Sequence, residues 1–185
     1  MKALLIIDMQ KGLFKPETPR HDANGVINRI NALSDFFRKK NIPVIFIQHD
    51  GTSENEYIPG TPDWKILSTL NQKESDKVIS KTANDSFYNS ELDVYLKTKN
   101  VTELVITGCA TDFCVDATIR SALAHDYKVI IIEDGHTTGN RPHMSAEKVI
   151  EHHNWIWANM IPTKGITRVL PFKDFIIEKA TVEAV

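Results

Sequence analysis

The feature that most constrains this chain is the uninterrupted apolar character of its strand-like segments. Ala3-Leu4-Leu5-Ile6-Ile7 has no polar residue, and Pro43-Val44-Ile45-Phe46-Ile47-Gln48 has none before its last position. Neither face of such a strand can meet water, so each belongs inside a parallel sheet covered by helices above and below. Shorter runs follow at Lys77–Ser80, Glu103–Thr107, Lys128–Glu133 and Thr167–Leu170. The segments between them carry helical spacing. After irregular chain marked by Pro16, Pro19, Asn24 and Gly25, a helix over Val26–Lys39 has Ile27, Ile30, Leu33, Phe36 and Phe37 as its apolar stripe. Further helices are expected from Ser90 or Glu91 to Lys99, from the Cys114 region to Asp126, and from a Ser145 cap to Met160 with Val149, Ile150, Trp155 and Ile156 as apolar positions. Strands alternating with helices predict an α/β fold, a three-layer αβα sandwich around a doubly wound six-stranded parallel sheet. The 185 residues suffice for one sizeable core, so residues 1–185 are read as a single domain.

Charge narrows the function classes. A net charge of -2 and a pI near 6.4 argue against electrostatic binding of nucleic acid or an anionic membrane. The apolar opening is too short for a signal-peptide core and runs into Asp8, and no segment reaches transmembrane length. A cytoplasmic protein is expected. Cys109 and Cys114 sit across a strand-to-helix turn, a poor arrangement for a disulfide and not a zinc-binding CxxC pair.

In a doubly wound sheet, ligands bind at the carboxyl ends of the strands. Three chemically competent groups fall there: Asp8 after the first run, Lys81 after the third, and the turn from Gly108 to Cys114 after the fourth. Thr111 and Asp112 occupy positions suited to a helix cap and an acidic first turn, which puts Cys114 in the first helical turn, where unpaired N–H groups favour thiolate over thiol. The competing reading makes Cys114 a small buried hydrophobe, Asp8 a turn residue and Lys81 a solvated strand end. Taken in roles, an acid, a cation and a thiol form a nucleophilic set.

Three motifs carry a resemblance. Leu5-Ile6-Ile7-Asp8-Met9-Gln10, then Lys81-x-x-x-Asp85-Ser86-Phe87 with Leu92, then Thr107-Gly108-x-Ala110-Thr111-Asp112-x-Cys114-Val115 resemble the isochorismatase-like hydrolases, also called cysteine hydrolases. The resemblance spans most of the chain. It implies an isochorismatase-like, Rossmann-like six-stranded parallel sheet and a catalytic Asp8, Lys81 and Cys114. It also implies a cis Cys109-Ala110 peptide and an oxyanion hole from the N–H groups of Ala110 and Cys114, with Cys109 structural. The implied reaction is hydrolysis of a small carboxamide or related C–N bond through a thioester, without a cofactor.

Two departures bear on the alternatives. Nicotinamidases of the family hold a metal through an Asp-x-His pair and further histidines, whereas this chain reads Gln48-His49-Asp50 with no histidine before the third strand, too few ligands for a stable ion. No metal is expected. Members that open the vinyl ether of isochorismate often lack the cysteine, so Cys114 favours acyl chemistry over isochorismate cleavage. A binding protein that keeps the fold without turnover remains a third reading. Gln10, Phe14, Trp64, Phe87 and His136 are candidate pocket residues, with Trp64 equally readable as a core plug and His136 as a turn residue. The family and the Trp155/Trp157 helix together suggest a homodimer or homotetramer acting on a small molecule.

Overall fold

The computed structural model describes residues 1–181. Six parallel strands form one sheet: β1 (Lys2–Ile7), β2 (Val44–His49), β3 (Lys77–Lys81), β4 (Glu103–Cys109), β5 (Lys128–Thr137) and β6 (Thr167–Leu170), in the order β3-β2-β1-β4-β5-β6. Five helices cover it: α1 (Ala23–Lys39), α2 (Leu92–Thr98), α3 (Asp116–Ala124), α4 (Ala146–Asn159) and α5 (Phe172–Thr181). The expected α/β architecture is present.

The apolar runs behave as two-sided strands. Ala3, Leu5 and Ile7 of β1 pack under α2, α3 and α4, while Leu4 and Ile6 face α1 and α5. On the first side Trp157 is completely buried with Ile119 and Ala122. On the second, Phe37 of α1 stacks on Phe175 of α5, ring centroids 6.1 Å apart. Because burying a large apolar side chain contributes about 1.5–3 kcal/mol, these layers hold the sheet and so the strand ends that carry the site. No helix among the described residues is long and apolar enough to cross a membrane.

Several local expectations are corrected. Asn24 and Gly25 lie inside α1, not before it. The helix starts early because Asp22 adopts a left-handed backbone and pairs with Arg29, and its carboxylate occupies the space that a Cβ on residue 25 would need. The polar stretch from Asp134 is not a turn: β5 continues to Thr137. Its pairing with β4 jumps there, since Ile106 faces Ile131 whereas Gly108 faces His136. In α4 the Ser145 hydroxyl caps by accepting from Lys148 N–H, as expected, but Trp157 enters the core and Trp155 is exposed. Helix α5 was not anticipated, although Pro171 followed by Phe172, Phe175 and Ile176 has the proline start and the three- and four-residue spacing of one.

Candidate active site

The strand order reverses direction between β1 and β4, and this switch point is where a doubly wound sheet opens a crevice. Gly108 permits the close approach that shapes it. Its φ is 128°, and a Cβ there would lie 2.2 Å from the Ile7 carbonyl oxygen, so any side chain would force β4 away from β1. Beyond Gly108 the Cys109-Ala110 peptide is cis. A wide turn follows over Thr111–Val115 before α3 begins. The Ala110 carbonyl accepts from the N–H groups of Phe113 and Val115, which leaves the intervening Cys114 N–H off that oxygen.

The turn corrects the expected capping. Thr111 does not cap: its hydroxyl meets His136 Nδ1 at 2.9 Å. Asp112 is engaged by Arg141, with contacts of 2.7 and 2.8 Å, and by the Thr138 hydroxyl at 2.8 Å. These bonds hold its carboxyl below the ordinary range against the opposing effect of burial.

Asp8, Lys81 and Cys114 meet at this crevice. Lys81 Nζ lies 2.7 Å from Asp8 Oδ2, 3.4 Å from Cys114 Sγ and 2.8 Å from the Ala83 carbonyl. The two charged side chains are almost wholly buried, and neither oxygen of Asp8 has a partner with hydrogen-bond geometry. Charge and proximity therefore hold the pair, and the carboxylate keeps accepting capacity. Burial alone would lower the Lys81 pKa, but Asp8 and then Cys114 outweigh it and hold the ammonium charged. Burial and the Asp8 charge push the Cys114 thiol up, against the opposing pull of Lys81. The helix-start preference for a thiolate is therefore opposed here by burial and by the neighbouring Asp8, and supported by Lys81. Cys114 Sγ also lies 3.5 Å from Asn84 Oδ1. Cys109, fully buried, is pushed up to about 12 by that burial and faces the core on the α1 side.

A cavity of about 330 Å³ opens over this set, lined by Asp8, Gln10, Leu13, Arg20, His49, Tyr57, Ala110, Phe113, Cys114 and Arg141 among others. Of the wall residues expected from sequence, Gln10 is in it. Its side chain, however, fastens the loop after β2, donating to the His49 and Trp64 carbonyls and accepting from His49 N–H. Phe14, Trp64, Phe87 and His136 do not line the cavity. Phe14 packs on the core beside α1, and Phe87 sits in the opposite core against His125 and Tyr127. Trp64 meets Gln10 and Gln48 through its backbone carbonyl, and His136 is buried between Thr111 and Asn154. Large aromatic rings are drawn to core sites by apolar area, which a one-dimensional reading cannot distinguish from a pocket wall. Missed were Arg20, Tyr57, Phe113 and Arg141. Phe113 lies inside the turn motif, where its exposed position between Asp112 and Cys114 was readable. Arg20 and Tyr57 sit in loops with no periodic signal.

The donors beside the site do not fit a metal ion. His49 Nδ1 faces the Lys81 ammonium at 3.5 Å, and Asp50 Oδ1 is taken by the Thr52 N–H and hydroxyl. Among the described residues no group of three or more His, Cys, Asp or Glu is placed to hold one.

Residues 2–162 match the isochorismatase domain, and the chain belongs to the isochorismatase family. A streptothricin hydrolase of Streptomyces noursei is 30% identical over 142 residues, covering 77% of this chain and 51% of that protein. The ureidoacrylate amidohydrolase RutB of Variovorax paradoxus is 35% identical over 72 residues, 39% of this chain and 29% of its own. A crystal structure of an isochorismatase family protein superposes with a TM-score of 0.84 at 31% identity, covering 91% of this chain and 97% of the other. The chain spans about half the length of the streptothricin hydrolases it matches.

Proposed function

We propose that this protein is a cysteine-dependent hydrolase of a small carboxamide or related C–N bond. The observation that carries the reading is the buried Lys81 ammonium set between the Asp8 carboxylate and the Cys114 sulfur, both of which line a small cavity. Relatives named streptothricin hydrolase and ureidoacrylate amidohydrolase support the reaction class.

The chemistry follows from the charge balance. Attack of the Cys114 sulfur on the carbonyl carbon passes the thiol proton to Asp8, whose oxygens retain accepting capacity. Charge then builds on the carbonyl oxygen, and the N–H groups of Ala110 and Cys114 are assigned to receive it. Collapse expels the amine, which takes the proton from Asp8 and leaves a thioester on Cys114. Water adds to the thioester and Asp8 takes its proton. Collapse breaks the C–S bond, the sulfur takes the proton back from Asp8, and the acid product departs. Lys81 remains charged throughout and keeps the anion beside it, whether on Asp8 or on sulfur. A cavity of about 330 Å³ is at the small end of ligand sites, which suits a compact substrate.

Covalent trapping tests the reading. Iodoacetamide is expected to modify Cys114 much faster than the buried Cys109 and to abolish ammonia release from a panel of small amides. Cys114→Ala should remain folded and inactive. Equal labelling of the two cysteines, or amide turnover surviving in Cys114→Ala, would sink the mechanism.

A further inference from the structure

The basic side chains in and beside the cavity differ in one respect that bears on the substrate. Lys81 is paired with Asp8, and Arg141 is paired bidentately with Asp112 while stacking over Phe113 at 5.0 Å. His49 carries no charge at neutral pH, because burial and the adjacent Lys81 ammonium lower its pKa. Arg20 is different. Its Nε donates to the Leu13 carbonyl at 2.5 Å, and no carboxylate among the described residues lies within ion-pair distance of it. A guanidinium presents five N–H donors in a planar fork, so the Nη groups remain uncommitted in the wall of the cavity. The other acidic group on the lining besides Asp8 is Glu56, which is exposed, so water screens it.

The position of Arg20 is built. Nε is anchored on Leu13, and Gly139 makes room for the head group: a Cβ there would lie 2.8 Å from Arg20 Nη1. The Tyr57 ring closes the same side, wedged where side chains on Gly12 and Gly51 would collide with it. Burial and then Glu56 hold the Tyr57 phenol protonated, so it is available as a donor.

We propose that Arg20 is a substrate-binding residue, and that the cavity takes a small amide that also bears a carboxylate, held against the Arg20 guanidinium while the amide carbonyl lies over Cys114. The assignment of the carbonyl to Cys114 rests on the hydrolase reading; the assignment of the carboxylate to Arg20 does not. A bidentate guanidinium–carboxylate contact orients as well as attracts, which fixes which end of an asymmetric substrate meets the sulfur. A neutral diamide of the same length would lose that contact and leave the guanidinium facing an uncharged group.

The test compares malonamate, succinamate and glutaramate with the corresponding neutral diamides at matched ionic strength. Binding is read by thermal stabilisation of the intact protein, and separately by protection of Cys114 from iodoacetamide. For at least one chain length the anion should bind about tenfold or more tightly than its diamide, the discrimination a charge-assisted hydrogen bond supplies. Arg20→Met should bring the two to near equality. Gly139→Ala, which displaces the guanidinium and touches no reacting group, should reduce the preference in part. Equal binding of anion and diamide by the native protein at all three lengths, no binding of either, or a preference that survives in Arg20→Met would overturn the proposal. If Cys114 alkylates no faster than Cys109 while the thermal preference for anions follows Arg20, the hydrolase reading fails and the carboxylate site stands.

Discussion

Replacing Lys81 with methionine isolates the charge at the centre of the site. The side chains of Lys81 and Asp8 are 0% and 1% exposed, so their 2.7 Å ion pair is shielded from water, unlike the chain's surface pairs. Methionine keeps most of the volume and removes the cation. Asp8 is then a buried carboxylate with no hydrogen-bond partner on either oxygen. Breaking a buried pair from one side costs about 3–5 kcal/mol. At about 2–4 °C per kcal/mol for a chain of this size, Tm should fall by roughly 6–20 °C. The pH window follows from the raised Lys81 pKa. Its contribution is fully present below the ordinary lysine value of 10.5 and is lost only as pH rises through the higher folded value, so Lys81 itself adds no pH dependence between pH 6 and 9. Asp8→Asn/Lys81→Met removes both charges and should recover more than half of the loss, giving a coupling of about 2 kcal/mol or more. Reversible urea denaturation of the native, two single and double variants measures the cycle. A loss below about 1 kcal/mol for Lys81→Met, or strict additivity in the double variant, would refute the picture of an interdependent buried pair.

Three further outcomes are expected. Amide turnover should survive exhaustive chelation, because His49 and Asp50 are engaged by Lys81 and Thr52; loss with EDTA and return with zinc, iron or manganese would reinstate a metal-dependent reading. His136, lowered to about 4 by burial, is neutral when folded and binds a proton more readily unfolded, so its contribution is present above pH 6.5 and is lost as pH falls toward 4. The maximum is of order 3 kcal/mol, and His136→Gln should flatten the stability–pH curve over that window. A homodimer or homotetramer is expected through the outer face of α4, where Trp155 is 66% exposed; sedimentation showing a monomer at micromolar concentration, or Trp155→Ala leaving a larger assembly intact, would count against that surface.

The sequence alone determined the sheet, and the reason lies in a local property. Ala3–Ile7 and Val44–Ile47 lack polar residues because both faces are covered, and that pattern needs no knowledge of which helix covers which face. Asp8, Lys81 and the Cys114 turn were likewise readable, because topology puts the ends of parallel strands on one edge whatever their order. What lines the space above them was not. Phe14, Phe87 and His136 are chemically plausible wall residues, yet packing takes them into the cores and into the Thr111–Asn154 bridge. Arg20 reaches the cavity from a loop, positioned by a carbonyl at Leu13 seven residues back and by a missing side chain at Gly139, far along the chain. Only the tertiary structure also decided what surrounds the Cys114 thiol. A helix start by itself favours thiolate; burial together with Asp8 opposes that preference, and both depend on which strand ends are brought within a few ångströms.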